Sequence, residues 1–164
     1  MKEALEQAEK DISAYREEIV AKLLEFARTD LLFFWGEKRD LYLKQRAEWQ
    51  PILDWAGKLL HIDLKSTDSL EVPENGALQN PLEQVLRSMT DKELACYYAA
   101  ALNMRSNLLA LALVKGRIDA ETAGKLSYLE ELWQNDLWGT DDEAVGRREE
   151  RFKELHGIED YLKK

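Results

Sequence analysis

One cysteine, two histidines and three prolines stand among 164 residues. Each scarcity removes a class of protein. A lone thiol, Cys96, cannot close an internal disulfide, and a Cys-rich metal cluster is excluded with it. Cys96 lies in the small-residue stretch A-C-Y-Y-A-A-A, where it is expected as a buried small hydrophobe. Three prolines and eight glycines leave little room for a long linker. Bases are outnumbered too: 23 Lys and Arg against 32 Asp and Glu give a formal charge of −9. Nucleic acid and anionic membranes are therefore poor partners. No apolar run reaches the roughly 20 residues that span a bilayer; N-L-L-A-L-A-L-V is too short, so no membrane insertion is expected. The opening M-K-E-A-L-E-Q-A-E-K-D is too acidic for a transit peptide and lacks the apolar centre of a signal peptide. Together these absences predict a soluble intracellular protein.

Catalytic signatures are also missing. No Gly-rich phosphate loop precedes a Lys-Ser or Lys-Thr pair, and no G-x-S-x-G elbow occurs. His61 and His156 lie far apart in sequence and form no metal-binding pair. His156 is expected near a helix C-terminus, where positive charge complements the dipole. Glu130 and Glu131 could be taken for an acid/base couple, but neighbours on a helix point about 100° apart. No catalytic residue, cofactor or metal ligand is assigned, and the chain is not expected to be an enzyme.

What is present is helical periodicity. Leu5, Ile12, Ile19 and Phe26 recur every seven residues, with Ala8 and Tyr15 in the seam and Leu23 close to it, which predicts a long helix over 3–28. Thr29–Trp35 (T-D-L-L-F-F-W) is too apolar for a solvated face. A short polar helix is expected at Asp40–Glu48 and another from Pro51, since proline suits a first helical turn. Trp49, Ile52 and Trp55 should face inward, with Leu53, Ala56 and Leu59 widening their stripe. His61–Lys65 alternates like a short strand without a partner, and Ser66–Gln79 reads as the main loop. Asn80–Pro81 begins a short helix with Leu82, Val85 and Leu86. Thr90 and Glu93 form a capping box. The helix they start is expected to run to about Val114, apolar nearly all round and central to a bundle. A charged helix over Asp141–Leu155 should stop near Gly157, with a last turn at Ile158–Leu162. The expected fold is all-α. It is a single helical domain over 1–164, with about six to eight helices round a central apolar helix and at most one short strand.

The stretch Ala120–Gly139 reads as one helix, capped by Asp119 and stopped at Gly139. Leu126, Leu129, Trp133 and Leu137 form an apolar stripe. Ser127, Glu131, Gln134 and Trp138 form a second, polar stripe ending in a large indole. That composition suits a partner-binding surface.

The run L-L-A-L-A-L-V-K-G-R-I-D-A-E-T-A-G-K-L-S-Y-L-E-E-L-W-Q-N-D-L-W-G closely resembles the signature of the ATP synthase F1 assembly chaperones. These are the α-subunit-binding family of mitochondria and alphaproteobacteria (assembly factor 2, or Atp-twelve type). The family's G-R-(I/L), A-x-x-L-S, (D/E)-E, aromatic-Gln and W-G elements fall on Gly116–Ile118, Ala123–Ser127, Glu130–Glu131, Trp133–Gln134 and Trp138–Gly139. Thr29–Leu32 and Trp49–Ala56 resemble two upstream family motifs. Order and spacing fit over about residues 16–155. Asn107 stands where the family usually has an apolar residue, and Tyr128 where arginine is common. The family's N-terminal β-rich domain has no counterpart here, so the chain looks like the helical domain alone.

The resemblance implies a chaperone that holds the unassembled F1 α subunit and covers the surface α later gives to β. Free subunit interfaces aggregate. It implies no ATP hydrolysis and no cofactor. It places the chaperone in the cytoplasm in its alphaproteobacterial form, or in the mitochondrial matrix. Glu131 is the expected contact residue, Glu130 and Asp30 come second, and Ser127, Gln134 and Trp138 frame it. A monomer is expected. Two alternatives stand beside this reading. One is an isolated or engineered scaffold of the family without chaperone function, favoured if the Ser127–Trp138 stripe is buried. The other is a helical enzyme, which needs a concave pocket with converging polar groups.

Overall fold

A computed structural model describes residues 2–164. Among them lie nine α-helices, two 3₁₀ turns and no strand. In chain order they are α1 (Lys2–Ala27), a 3₁₀ turn (Leu31–Phe33), α2 (Arg39–Glu48), α3 (Gln50–Leu60), a second 3₁₀ turn (Gly76–Leu78), α4 (Gln79–Ser88), α5 (Asp91–Met104), α6 (Asn107–Val114), α7 (Ala120–Ser127), α8 (Leu129–Trp138) and α9 (Asp142–Leu162). The fold is all-α, as the periodicity predicts. Nine helices replace six to eight because two expected helices each divide.

In α1 the heptad starts as expected, with Leu5 and Ile12 buried. Tyr15 then leaves helical geometry (φ −126°, ψ 31°) and its side chain is exposed rather than in the seam. Beyond this kink the buried set moves to Val20, Leu23, Leu24 and Ala27, and Ile19 and Phe26 are only half-buried. An α-helix drifts about 20° per heptad, and the kink adds to that phase shift.

The expected central helix over Thr90–Val114 is two helices. The capping box at its start is present: Thr90 Oγ1 accepts from Glu93 N at 3.1 Å and Glu93 Oε1 from Thr90 N at 3.1 Å. The break falls at Arg105, in the left-handed region (φ 57°), and Ser106 restarts the chain as N-cap of α6. Nothing in the local sequence demands this, since no Gly or Pro stands there. The cause is tertiary. Asp30, fully buried before the first 3₁₀ turn, accepts from Ser106 Oγ at 2.7 Å and Leu32 N at 3.0 Å on one oxygen. Its other oxygen accepts from Leu108 N at 3.0 Å. The carboxylate thus caps a helix from another part of the chain. Burial pushes its pKa above the ordinary aspartate value, and these hydrogen bonds oppose the shift.

Helix α5 packs against α1, α6 and α9, and Asn107 through Leu113 of α6 are all buried. Asn107, the polar residue in an expected apolar place, has partners. It accepts from Tyr97 Oη at 2.6 Å and donates to the Leu23 carbonyl at 3.2 Å. Cys96 is buried as expected, and burial pushes its thiol up to about 12.

Pro51 sits in the first turn of α3, and Trp49 and Ile52 are buried, but Trp55 is only half-buried and Leu59 is exposed. His61–Lys65 is not a strand: His61 ends α3 in the left-handed conformation (φ 58°). The sole bridge described pairs Phe34 with Thr67. The final helix runs unbroken through Gly157 to Leu162. His156 therefore lies inside α9, 3.3 Å from Glu121 of α7, and not at a helix end. Helices α7 and α9 cross closely at Gly124, where an added Cβ would stand 2.9 Å from the Phe152 ring.

Replacing Asp30 by alanine orphans three buried donors. At roughly 1–3 kcal/mol each, the expected loss is about 3 kcal/mol or more, a fall in Tm of roughly 6–12 °C. Thermal unfolding followed by circular dichroism checks this; a change below about 1 kcal/mol would remove Asp30 as the tie between these elements.

Candidate functional site

The expected helix over Ala120–Gly139 is also two. Asp119 caps it as predicted, accepting from Thr122 N at 2.8 Å, and hydrogen bonding from the Thr122 hydroxyl first, then from that N–H, holds the Asp119 carboxyl below its usual range. The helix stops at Ser127 because Tyr128 leaves helical geometry (φ −106°, ψ 18°). Two contacts stabilise the corner. Ser127 Oγ donates to the Gly124 carbonyl at 3.0 Å, a local competitor for the helix ladder. Trp49 Nε1 donates to the Leu126 carbonyl at 2.9 Å from the buried junction of α2 and α3.

At this corner the surface is concave. A depression of about 400 Å³ is lined by Leu31, Trp49, Arg105, Ser127, Tyr128, Glu130, Glu131 and Gln134. Its second wall follows from the Asp30 tie, because Leu31 N donates to the Arg105 carbonyl at 3.1 Å beside it. Four of the six expected contact residues meet here: Ser127, Glu130, Glu131 and Gln134. Glu130 and Glu131 share the site despite their angular separation, because the corner wraps round both. Ser127 is buried at its floor, Glu131 is partly exposed, and Glu130 and Gln134 are exposed.

The other two lie elsewhere. Trp138 is outside the depression at the far end of α8, 78% exposed. Asp30 is a structural cap beneath the site with no exposed surface, so a direct contact role for it is ruled out by its burial. The apolar stripe also changes. Leu126 and Leu129 are buried, Trp133 is half-buried under Lys38, and Leu137 is 55% exposed. The turn at Tyr128 points α8 away from the core and leaves its last turn uncovered.

Arg105 lines the depression and Arg148 pairs with Glu131 from outside its lining; neither was expected. Arg148 of α9 approaches Glu131 at 3.7 Å and is itself largely buried. It neutralises part of the Glu131 charge and limits where that carboxylate can point. Neither arginine carries a sequence signal: one sits at an unforeseen helix break, the other in a charged helix with many alternatives. The arrangement lacks a nucleophile–base pair. Ser127 Oγ is engaged with a carbonyl, and no histidine lines the depression. Among the described residues no group of three His, Cys, Asp or Glu could hold a metal ion, and no helix is long and apolar enough to cross a membrane.

The sequence pattern of the family described as ATP12 chaperone protein matches residues 1–57. That span contains the Thr29–Leu32 and Trp49–Ala56 motifs but not the depression's α7 and α8. Solved structures extend the likeness. Atp12 from Paracoccus denitrificans superposes with a TM-score of 0.87 at 27% identity, covering 92% of this chain and 66% of that one. A point mutant of the same protein matches equally, with 65% of its chain covered. The Atu1473 protein of Agrobacterium tumefaciens gives a TM-score of 0.80 at 27% identity, over 93% of this chain and 58% of that one. This chain thus spans slightly less than two thirds of the length of the Paracoccus protein. The matching family is described as one of chaperone proteins, and the Agrobacterium protein carries a chaperone description too.

Substituting Trp49 by phenylalanine removes the indole donor and leaves the Leu126 carbonyl buried without it. The expected cost is about 2–4 kcal/mol, read by thermal or urea unfolding. Trp55→Phe, at a half-buried ring, should cost less; equal costs would show that the Leu126 bond adds nothing to the corner.

Proposed function

Because residues 1–57 match the ATP12 chaperone family and the fold is shared with Atp12 of Paracoccus denitrificans, we propose that the chain is of that family and acts as an assembly chaperone that binds the unassembled α subunit of the ATP synthase F1 sector. In this reading it holds α as a monomeric helical domain and prevents its aggregation until β takes its place. The contact centres on the depression at the α7–α8 corner, with Glu131 as its principal residue and Glu130 and Gln134 beside it. Support comes first from geometry: three residues of the expected polar stripe, Ser127, Glu131 and Gln134, and the neighbouring Glu130 line one concave surface. It comes also from the order of three sequence motifs and from a fold shared over most of the chain with the Paracoccus protein.

The mechanism needs no covalent chemistry. An unpartnered subunit exposes an interface with apolar patches and unmatched charges. A binder that covers it removes the aggregating surface by mass action and leaves when a tighter partner arrives. The depression offers two carboxylates, an amide and one guanidinium on a rim of mixed polarity, which matches the polar character of exchangeable interfaces. Because this chain spans just under two thirds of the Paracoccus protein, a second reading is a helical scaffold that keeps the fold without independent chaperone activity.

The test is binding of the 164-residue chain to isolated F1 α subunit, with light scattering to follow α aggregation. Wild type should bind α and slow its aggregation. Glu131→Lys should retain its helical circular dichroism but bind at least about tenfold more weakly. Absence of both binding and protection by wild type would favour the scaffold reading.

A further inference from the structure

The surface beyond the depression is organised by charge. Residues 126–146 contain six acids (Glu130, Glu131, Asp136, Asp141, Asp142 and Glu143) and no Lys, Arg or His. In a chain with 23 bases that gap is long. Two of the acids meet arginines from α9: Glu131 meets Arg148 at 3.7 Å and Glu143 meets Arg147 at 3.2 Å. Among the described residues the other four make no ion pair.

In the middle of this stretch the last turn of α8 is bare. Leu137 is 55% exposed and Trp138 is 78% exposed. Isolated apolar residues on a surface are ordinary, but an adjacent leucine and tryptophan at a helix end are a sizeable apolar knob. The knob follows the rim of the depression. Trp138 lies seven residues after Glu131 and four after Gln134, so the three share one face, with Trp138 about 10 Å along the axis from Glu131. Gly139, at φ 87°, ends the helix there and carries no side chain to shield the indole. Basic side chains meet α8 nearer its start: Lys38 lies over the Trp133 ring, and Lys44 and Lys125 line a depression with Leu129 and Leu132.

We infer that the α8 tip is a second docking element of the same interface, and that its occupant is an apolar pocket on the client protein surrounded by lysine or arginine residues. The inference rests on the α-subunit reading and specifies the client surface. Trp138 supplies the buried anchor, with large contact area and few rotamers to freeze. The unpaired carboxylates steer a basic surface onto it and disfavour acidic competitors. A neutral or acidic apolar pocket would take the indole but leave Asp136 and Asp142 to be desolvated without partners, and Asp141 with only its bond to Glu143 N, which is unfavourable. The depression and the tip have separate roles. The depression presents oriented polar groups, and the tip presents apolar area inside a negative field.

The experiment measures affinity for isolated F1 α subunit by calorimetry at about 50 and about 500 mM NaCl, which spans strong to weak electrostatic attraction. The variants are Trp138→Ala, the pair Asp136→Asn with Asp141→Asn, and Leu70→Ser. Leu70 is an exposed leucine on the loop before α4 and controls for general stickiness. Wild-type affinity should fall severalfold with salt. Trp138→Ala should weaken binding at least tenfold with an unchanged Tm. The double Asp→Asn variant should lose much of the salt dependence, and Leu70→Ser should match wild type. Wild-type binding that is insensitive to salt and to Trp138→Ala overturns the inference while leaving the α-subunit reading intact. No wild-type binding at either salt overturns both.

Discussion

A single buried carboxylate holds this fold's connections in register. Asp30 has no exposed surface, and an ion so placed is expensive unless its lone pairs are matched. Here Ser106 Oγ, Leu32 N and Leu108 N match them within 3.0 Å. The match works only if α5 stops at Arg105 and α6 starts at Ser106, so satisfying the carboxylate dictates a helix break 76 residues downstream. The break in turn sets Arg105 beside Leu31 and builds one wall of the depression. The local Ser106 cap on Leu109 N is joined by a second cap supplied across the fold by Asp30, and the candidate site inherits its shape from it.

Polar groups tie the same region from a second direction. Asn107 joins Tyr97 of α5 to the Leu23 carbonyl of α1. Apolar packing alone is tolerant of small rotations, because any well-filled arrangement of leucines and alanines is nearly as good. Buried hydrogen bonds are not tolerant, since a misplaced donor is left unpaired. With α6 buried on every side, Asp30 and Asn107 select one orientation of that helix among many apolar ones. The rigid centre then presents the more weakly packed α8 at its edge.

The same division runs through the surface. Where helices meet the core they approach closely, as at Gly124 against the Phe152 ring. Where α8 departs from it, large apolar and acidic side chains are left to solvent. The proposed role, binding followed by release, calls for this combination: a scaffold that does not reorganise, and a contact surface whose energy is realised only with a partner.

Helical periodicity, the Thr90 and Asp119 caps, the turn at Pro51 and the buried Cys96 were legible in the residues themselves, because each depends on neighbours within a few positions. The family motifs likewise pointed to Glu130, Glu131 and Gln134. What the residues did not disclose was every feature that depends on a distant partner. Both long helices looked continuous because no Gly or Pro stands at either break; they divide because Asp30 recruits Ser106 and because Trp49 holds the Leu126 carbonyl. The slip of the α1 heptad, the exposure of Leu137, the burial of Asp30 and the arrival of Arg105 and Arg148 at the site share that origin. Local sequence determined which segments are helical and which chemistry they carry. The tertiary structure decided where helices break and which side chains converge, because those outcomes are settled by hydrogen bonds and packing between segments that no local pattern encodes.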